Sequence, residues 1–278
     1  MLVSVCMIVR NEAAILAKAI ESTKGLADEV VILDTGSTDG TVALARELGA
    51  VVLTGGDRMH KAESRNSAAA ASSGEWTVIL DADEQIADPV GLREHLQQTD
   101  AQALFIKLAY MDANDNPTLS YAQMRIWRRG TYQYKYRAHE VPLPTNGWGK
   151  REYTDFVWEH RPPPDRVWKS DYTLNRLLLD VEENPEDARP LYYLGRQYMY
   201  RQEWTLALET LEAYLAFSGI DEADAWHCVA RCYKGLGDEK QQIKALFTAC
   251  AAQPGRREWW GELAEIYHSR GQDSIAVG

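Results

Sequence analysis

An apolar run that ends in carboxylates, Val78-Ile79-Leu80-Asp81-Ala82-Asp83-Glu84, most constrains what this 278-residue chain can fold into. A short continuous apolar run reads as a strand buried on both faces. Acids set directly after such a strand emerge at the carboxyl edge of the sheet, which is where open α/β sheets take their ligands. A second run upstream, Val31-Ile32-Leu33-Asp34-Thr35-Gly36-Ser37-Thr38-Asp39-Gly40, ends the same way. Paired carboxylates at such an edge suit a hard divalent cation with phosphates attached.

The first hundred residues alternate strand and helix patterns. Strands are expected over 2–9, 29–33, 51–53 and 76–80, and helices over 12–24, 41–48 and 62–72. This order implies an α/β fold with a mostly parallel sheet and right-handed crossovers. The Gly55-Gly56-Asp57 loop interrupts it near the ligand edge. Two further runs, 104–108 and 124–127, flank a polar turn at 112–117 and read as a hairpin added to the sheet. The prolines of Arg161-Pro162-Pro163-Pro164-Asp165 mark a linker, so one domain is expected over 1–164 and a second over 165–278.

The second domain reads as all helix with an internal repeat. Leu194-Gly195 and Tyr198 return as Val229-Ala230 and Tyr233, and again as Leu263-Ala264 and Tyr267. Trp226 and Trp260, and Ala207 and Ala276, share the period, and Pro254 closes a repeat. These types and spacings resemble tetratricopeptide repeats, although Gln242 stands where a small residue is expected. The third repeat breaks off in its second helix, so either a truncated chain or a subunit covering that end is expected.

Composition narrows the class. A formal charge of −11 disfavours nucleic acid and anionic membranes as bulk partners. Residues 120–169 nevertheless carry ten Lys or Arg against five Asp or Glu, a local basic wall suited to a small phosphate-bearing ligand. No run is long and apolar enough for a transmembrane segment and no leader pattern opens the chain, so a cytoplasmic protein is expected. The four cysteines show no CxxC pair and are expected to be buried thiols.

Four blocks taken together resemble the family 2 glycosyltransferases of GT-A fold: Ser4–Glu12, Val31–Thr41, Arg65-Asn66 and Leu80–Glu84. The branch that looks similar contains lipopolysaccharide inner-core β-glucosyltransferases and peptide S-glycosyltransferases, which join such a Rossmann-like domain to helical repeats. The resemblance implies a metal-dependent, inverting transfer from a nucleoside-diphosphate sugar, with a uridine nucleotide expected first. Thr35 departs from the second acid that many members use to read the base. By the same resemblance Asp83 is the first metal ligand, with Mn²⁺ or Mg²⁺ as the ion. Asp81 is expected on the ribose or on metal-bound water, and His160, ahead of the linker, as a further ligand. Arg10, Glu12, Asp34, Thr35 and Arg65 are expected around the nucleotide. Arg137-Ala138-His139-Glu140 resembles the branch's His-Glu pair, which makes Glu140 the candidate base, with His139 expected to orient it or to contact phosphate. Glu84 is expected to orient a neighbour or cap a helix, and Asp39 to cap the helix that follows it. The acceptor is not legible: a glycan or lipid-linked core, a peptide and, last, a modified nucleobase all fit. The repeats are expected to recruit a protein partner or the acceptor. The rival expectation is an inactive protein that binds a sugar nucleotide or works through its repeats.

Overall fold

The structure, a computed structural model, describes residues 2–56, 59–162, 170–217 and 220–272. It divides into two compact units, Met1–Val167 and Trp168–Gly278. Residues 163–165 of the proline linker, Asp57 of the glycine loop and Ala276 of the third repeat lie outside the described residues.

The amino-terminal unit is built on an eight-stranded sheet. Its strands are β1 (Val3–Val9), β2 (Glu29–Asp34), β3 (Val51–Thr54), β4 (Trp76–Ile79), β5 (Glu84–Ile86), β6 (Ala103–Met111), β7 (Pro117–Arg128) and β10 (Arg151–His160), in the order β3-β2-β1-β4-β7-β6-β10-β5. β7 and β5 run against the rest, so the sheet is mostly parallel, as its βα order implies. A small ribbon pairs β8 (Tyr132–Lys135) with β9 (Val141–Pro144).

Alternation along β1 decides the two faces. Val3, Val5, Met7 and Val9 pack into one core with Leu16 and Ile20 of α1 (Leu16–Glu21) and Leu92 and Leu96 of α4 (Pro89–Gln98). Cys6 points the other way, toward Ala62 and Ala68 of α3 (Lys61–Ala70) and the aromatics Trp127 and Tyr134. Between them, α2 (Thr41–Glu47) follows the turn after β2. The expected helix over 12–24 is regular only in α1, because residues 12–15 form turns on the Glu12 carbonyl, which accepts from Ile15 and Leu16. The hairpin is present as β6 and β7, but β7 inserts beside β4 rather than extending an edge. Burial pushes the Cys6 thiol up to about 12, and all four cysteines are buried and free. No helix among the described residues is long and apolar enough to cross a membrane.

The carboxy-terminal unit is wholly helical: α5 (Ser170–Glu183), α6 (Ala188–Tyr200), α7 (Trp204–Leu215), α8 (Ala223–Leu236), α9 (Glu239–Ala252) and α10 (Arg257–Ser269). The repeat positions Leu194, Val229 and Leu263 are all buried. Tyr198, Tyr233 and Tyr267 pack on the same core, so the tetratricopeptide-like pattern is realised in space. Trp260 keeps the period but is half out of the core. Its neighbour Trp259 is buried instead and stacks on His227.

The glycine after Leu194 has a steric cause. A Cβ on Gly195 would sit 2.7 Å from Cγ of Leu211 in α7, and Leu211 is fully buried. Gly195→Ala therefore gains helix propensity but overpacks the α6–α7 contact. We expect a net destabilisation of this unit by about 1–2 kcal/mol, read as a lower denaturant midpoint at unchanged slope.

Candidate active site

The carboxyl ends of β1, β2 and β4 lie side by side, and the residues after them form the site. At the end of β2, Asp34 is buried. Its carboxylate accepts from the backbone N–H of Gly36 at 3.1 Å and of Ser37 at 3.1 and 3.2 Å. Gly36 sits at φ 100, which a side chain would resist. Thr35 turns its hydroxyl back to the Val9 carbonyl at 3.1 Å. Asn11 (φ 55) fastens this turn to β1, accepting from Thr38 N at 2.8 Å and donating its own N–H to Ser37 Oγ at 2.9 Å. Asp39 accepts from Thr41 N at 3.0 Å, at the start of α2, and from Ala13 N at 3.3 Å. Glu12 donates its N–H to Thr41 Oγ1 at 2.9 Å. Arg10 leaves the end of β1 and makes no ion pair among the described residues.

Beyond β4 the two acids part company. Asp81 is engaged by two arginines: Arg65 Nη1 lies 2.8 Å from Oδ1, and Arg125 Nη2 lies 3.4 Å from Oδ2. Burial works to raise this carboxyl, but Arg65 and then Arg125 hold it well below the usual carboxylate range. Asp83, two residues on, is buried and meets a different partner, with its Oδ1 3.7 Å from Nδ1 of His160. That approach is built by the sheet. β5 pairs antiparallel with β10 so that His160 opposes Glu84, and Arg161 N donates to the Asp83 carbonyl at 2.7 Å.

Glu84 orients its neighbour. Its Oε2 accepts from Asp81 N at 3.0 Å, and its Oε1 accepts from Arg125 at 2.6 Å. The cap of α4 falls to Asp88, which accepts from Gly91 N at 2.9 Å. Burial pushes the Glu84 carboxyl up to about 7 against the pull of Arg125.

Glu140 is drawn to the same cluster, 3.3 Å from Nε of Arg65. The link is made by Asn66, which donates from Nδ2 to the Tyr134 carbonyl at 2.8 Å and accepts from Tyr134 N at 2.7 Å. This two-bonded clasp ties β8 to α3. The guanidinium of Arg65 lies over the Tyr134 ring, 5.4 Å from its centre. The segment after β8 turns through Tyr136 (φ 74) and His139 (φ 51), both in the left-handed region that ordinary side chains resist. That turn exposes His139 and directs Glu140 inward.

The structure thus groups Asp81, Arg65 and Glu140 in one ion network and Asp83 with His160 in an adjacent pair. Arg125 and Asn66 are the members whose roles the sequence did not reveal. Arg125 stands in an ordinary apolar strand pattern, and the one available signal was a charge inside the run Met124-Arg125-Ile126-Trp127.

A family model described as glycosyl transferase family 2 matches residues 4–158. The chain belongs to glycosyl transferase family 2. An uncharacterized glycosyltransferase of Rickettsia felis is 33% identical over 127 residues, 43% of this chain and 44% of that one. A TPR repeat-containing protein of Synechococcus elongatus is 42% identical over 106 residues, 37% of this chain and 26% of that one. The chain therefore spans less than half the length of these curated relatives. Among solved structures, MamA aligns with a TM-score of 0.36 and 21% identity over 39% of this chain and 63% of that chain.

Among the described residues no three His, Cys, Asp or Glu side chains converge as a ready-made metal cage. The Asp83–His160 pair still fits a cation that arrives with phosphate oxygens, since Mg²⁺-type sites use one or two protein ligands plus substrate and water. Within the cluster, the carboxylates of Asp81, Asp83, Glu84 and Glu140 outnumber Arg65 and Arg125, which favours an added positive charge.

Arg125 is the strut of this family 2 site, because Glu84 is 1% exposed beside it. In Arg125→Met a buried carboxylate loses its partner, which costs about 3–5 kcal/mol of stability near neutral pH. Glu84 already has a raised folded-state pKa, so protonation favours the fold at acid pH and the benefit fades as pH rises through about 7. The penalty of Arg125→Met is therefore expected to shrink from pH 8 to pH 5.5 in parallel denaturation curves. An equal penalty at both values would contradict an ionised, arginine-held Glu84.

Proposed function

We propose that the amino-terminal unit transfers a glycosyl group from a nucleoside-diphosphate sugar, with inversion and with help from Mn²⁺ or Mg²⁺. The observation that carries this reading is the convergence of Asp83 and His160 at the carboxyl edge beside the Arg65–Asp81–Glu140 network. Asp34 and Thr35 border the nucleoside, and Arg10 supplies a cation for the phosphates. Asp83 and His160 would hold the ion, which supplies Lewis-acid neutralisation of the charge leaving with the diphosphate. Asp81, held by two guanidinium groups, serves in this reading as the anchor of Arg65 rather than as a ligand.

In the reaction the acceptor oxygen bonds to the anomeric carbon while the bond from that carbon to the diphosphate oxygen breaks. The electron pair leaves with the nucleoside diphosphate. Glu140 receives the acceptor proton, and Arg65 keeps its carboxylate turned to the site. The strained turn at His139 fixes the direction of approach, a cost the fold bears to pre-orient the base. A uridine nucleotide is the first donor to test, and Thr35 gives the base contact a hydroxyl in place of a carboxylate. The helical repeats are assigned to recruiting a protein partner or the acceptor, in a cytoplasmic setting.

Calorimetric titration of nucleoside diphosphates, with and without Mn²⁺, tests the donor site. Asp83→Ala is expected to abolish the metal-dependent part of binding. Glu140→Gln should keep nucleotide affinity while lowering transfer by about 10²–10⁴-fold. Absence of any nucleotide binding by the folded wild type would sink the reading and favour a protein that works through its repeats.

A further inference from the structure

The sheet carries an aromatic strip that the donor site does not use. Cross-strand register sets Glu84, His160, Tyr110 and Leu119 in one row across β5, β10, β6 and β7. Side chains directly opposite one another share a face, and Tyr121, two residues beyond Leu119, shares it too. The ring of Tyr110 meets that of His160 edge-on at 4.5 Å, and His160 is the residue beside Asp83. The rings of Tyr110 and Tyr121 are 6.1 Å apart with a 33° tilt, and their hydroxyls are 3.3 Å apart. Hairpin core would be buried. Tyr121 is instead 42% exposed and Leu119 57% exposed.

This strip runs outward from the proposed ion-binding pair, so a molecule lying on it would present an oxygen to the reacting carbon. Its chemistry is neutral and amphipathic: ring faces flanked by phenol hydroxyls. The C–H face of a pyranose is electropositive and matches the negative face of an aromatic ring, while its hydroxyls match the phenols. A flat nucleobase would need closely parallel faces, which the tilt does not provide. A charged peptide finds no ion partner on the two rings.

We infer that Tyr110 and Tyr121 form the acceptor platform of the enzyme, and that the acceptor presents a sugar ring to it. This rests on the glycosyl-transfer reading above. The platform binds the acceptor saccharide face-on and delivers a hydroxyl past His160.

The test is saturation-transfer NMR on the full chain, with a panel of blocked hexose and N-acetylhexosamine disaccharides, Mg²⁺ and saturating nucleoside diphosphate. We expect saccharide binding that Tyr121→Ala weakens by about tenfold, in line with loss of one aromatic face, and that Tyr121→Phe retains. Tyr153→Ala removes another exposed tyrosine, one stacked on Phe105 at 4.3 Å, and should leave binding unchanged. Nucleotide affinity is measured on the same samples. A wild type that binds nucleotide but no disaccharide, or one whose disaccharide binding survives Tyr121→Ala, overturns the platform alone. Peptides or nucleosides that bind in place of sugars, and are lost in Tyr121→Ala, overturn its saccharide assignment. A wild type that binds no nucleotide overturns the underlying reading instead.

Discussion

The site depends on one buried ion network. Arg65 and Arg125 enter from a helix and from a strand, and between them they hold Asp81, Glu84 and Glu140. Buried charges are costly unless paired and hydrogen-bonded. Each guanidinium here meets two carboxylates, and Glu84 also accepts a backbone N–H from Asp81. The network fixes where the loop after β4 can run, and so fixes the side on which Asp83 emerges. It also fixes the approach of the 136–140 turn, because Arg65 sits beside the Asn66 clasp on β8.

This arrangement explains why two acids in the same short motif have different surroundings. Asp81 is neutralised by fixed arginines and is electrostatically spent. Asp83 meets an imidazole, which can serve as a metal ligand. A local arrangement with fixed cations on one side and a ligand-capable pair on the other suits a substrate that carries both phosphate and a metal ion. The helical unit is built on different physics. Its order comes from small residues at close helix contacts and from aromatics repeated every thirty-four or thirty-five residues, as seen in Tyr198, Tyr233 and Tyr267.

Much of the fold was legible because it rests on local patterns. Alternation along β1 and the apolar run of β4 announce strands through the period of their side chains. The repeats announce themselves by recurrence. β5, β8, β9 and β10 were not anticipated, since short or half-exposed strands such as Arg151–His160 carry mixed sequence and owe their form to their neighbours. The expected helix over 12–24 shortened for a related reason: residues 12–15 are committed to contacts with the turn after β2.

By itself, the sequence determined the order of strands and helices up to residue 80, the repeat, and the presence of acids at the carboxyl edge. Each of these follows from hydrophobic periodicity and from the need to solvate charge, and both act over a few residues. Only the tertiary structure decided which acid is held by arginine, that Arg125 joins the network, and that His160 stands beside Asp83. Those facts depend on β5 pairing with β10 and on β7 inserting beside β4. Such long-range pairings are chosen by packing and ion-pair satisfaction across the whole sheet, which no local pattern records.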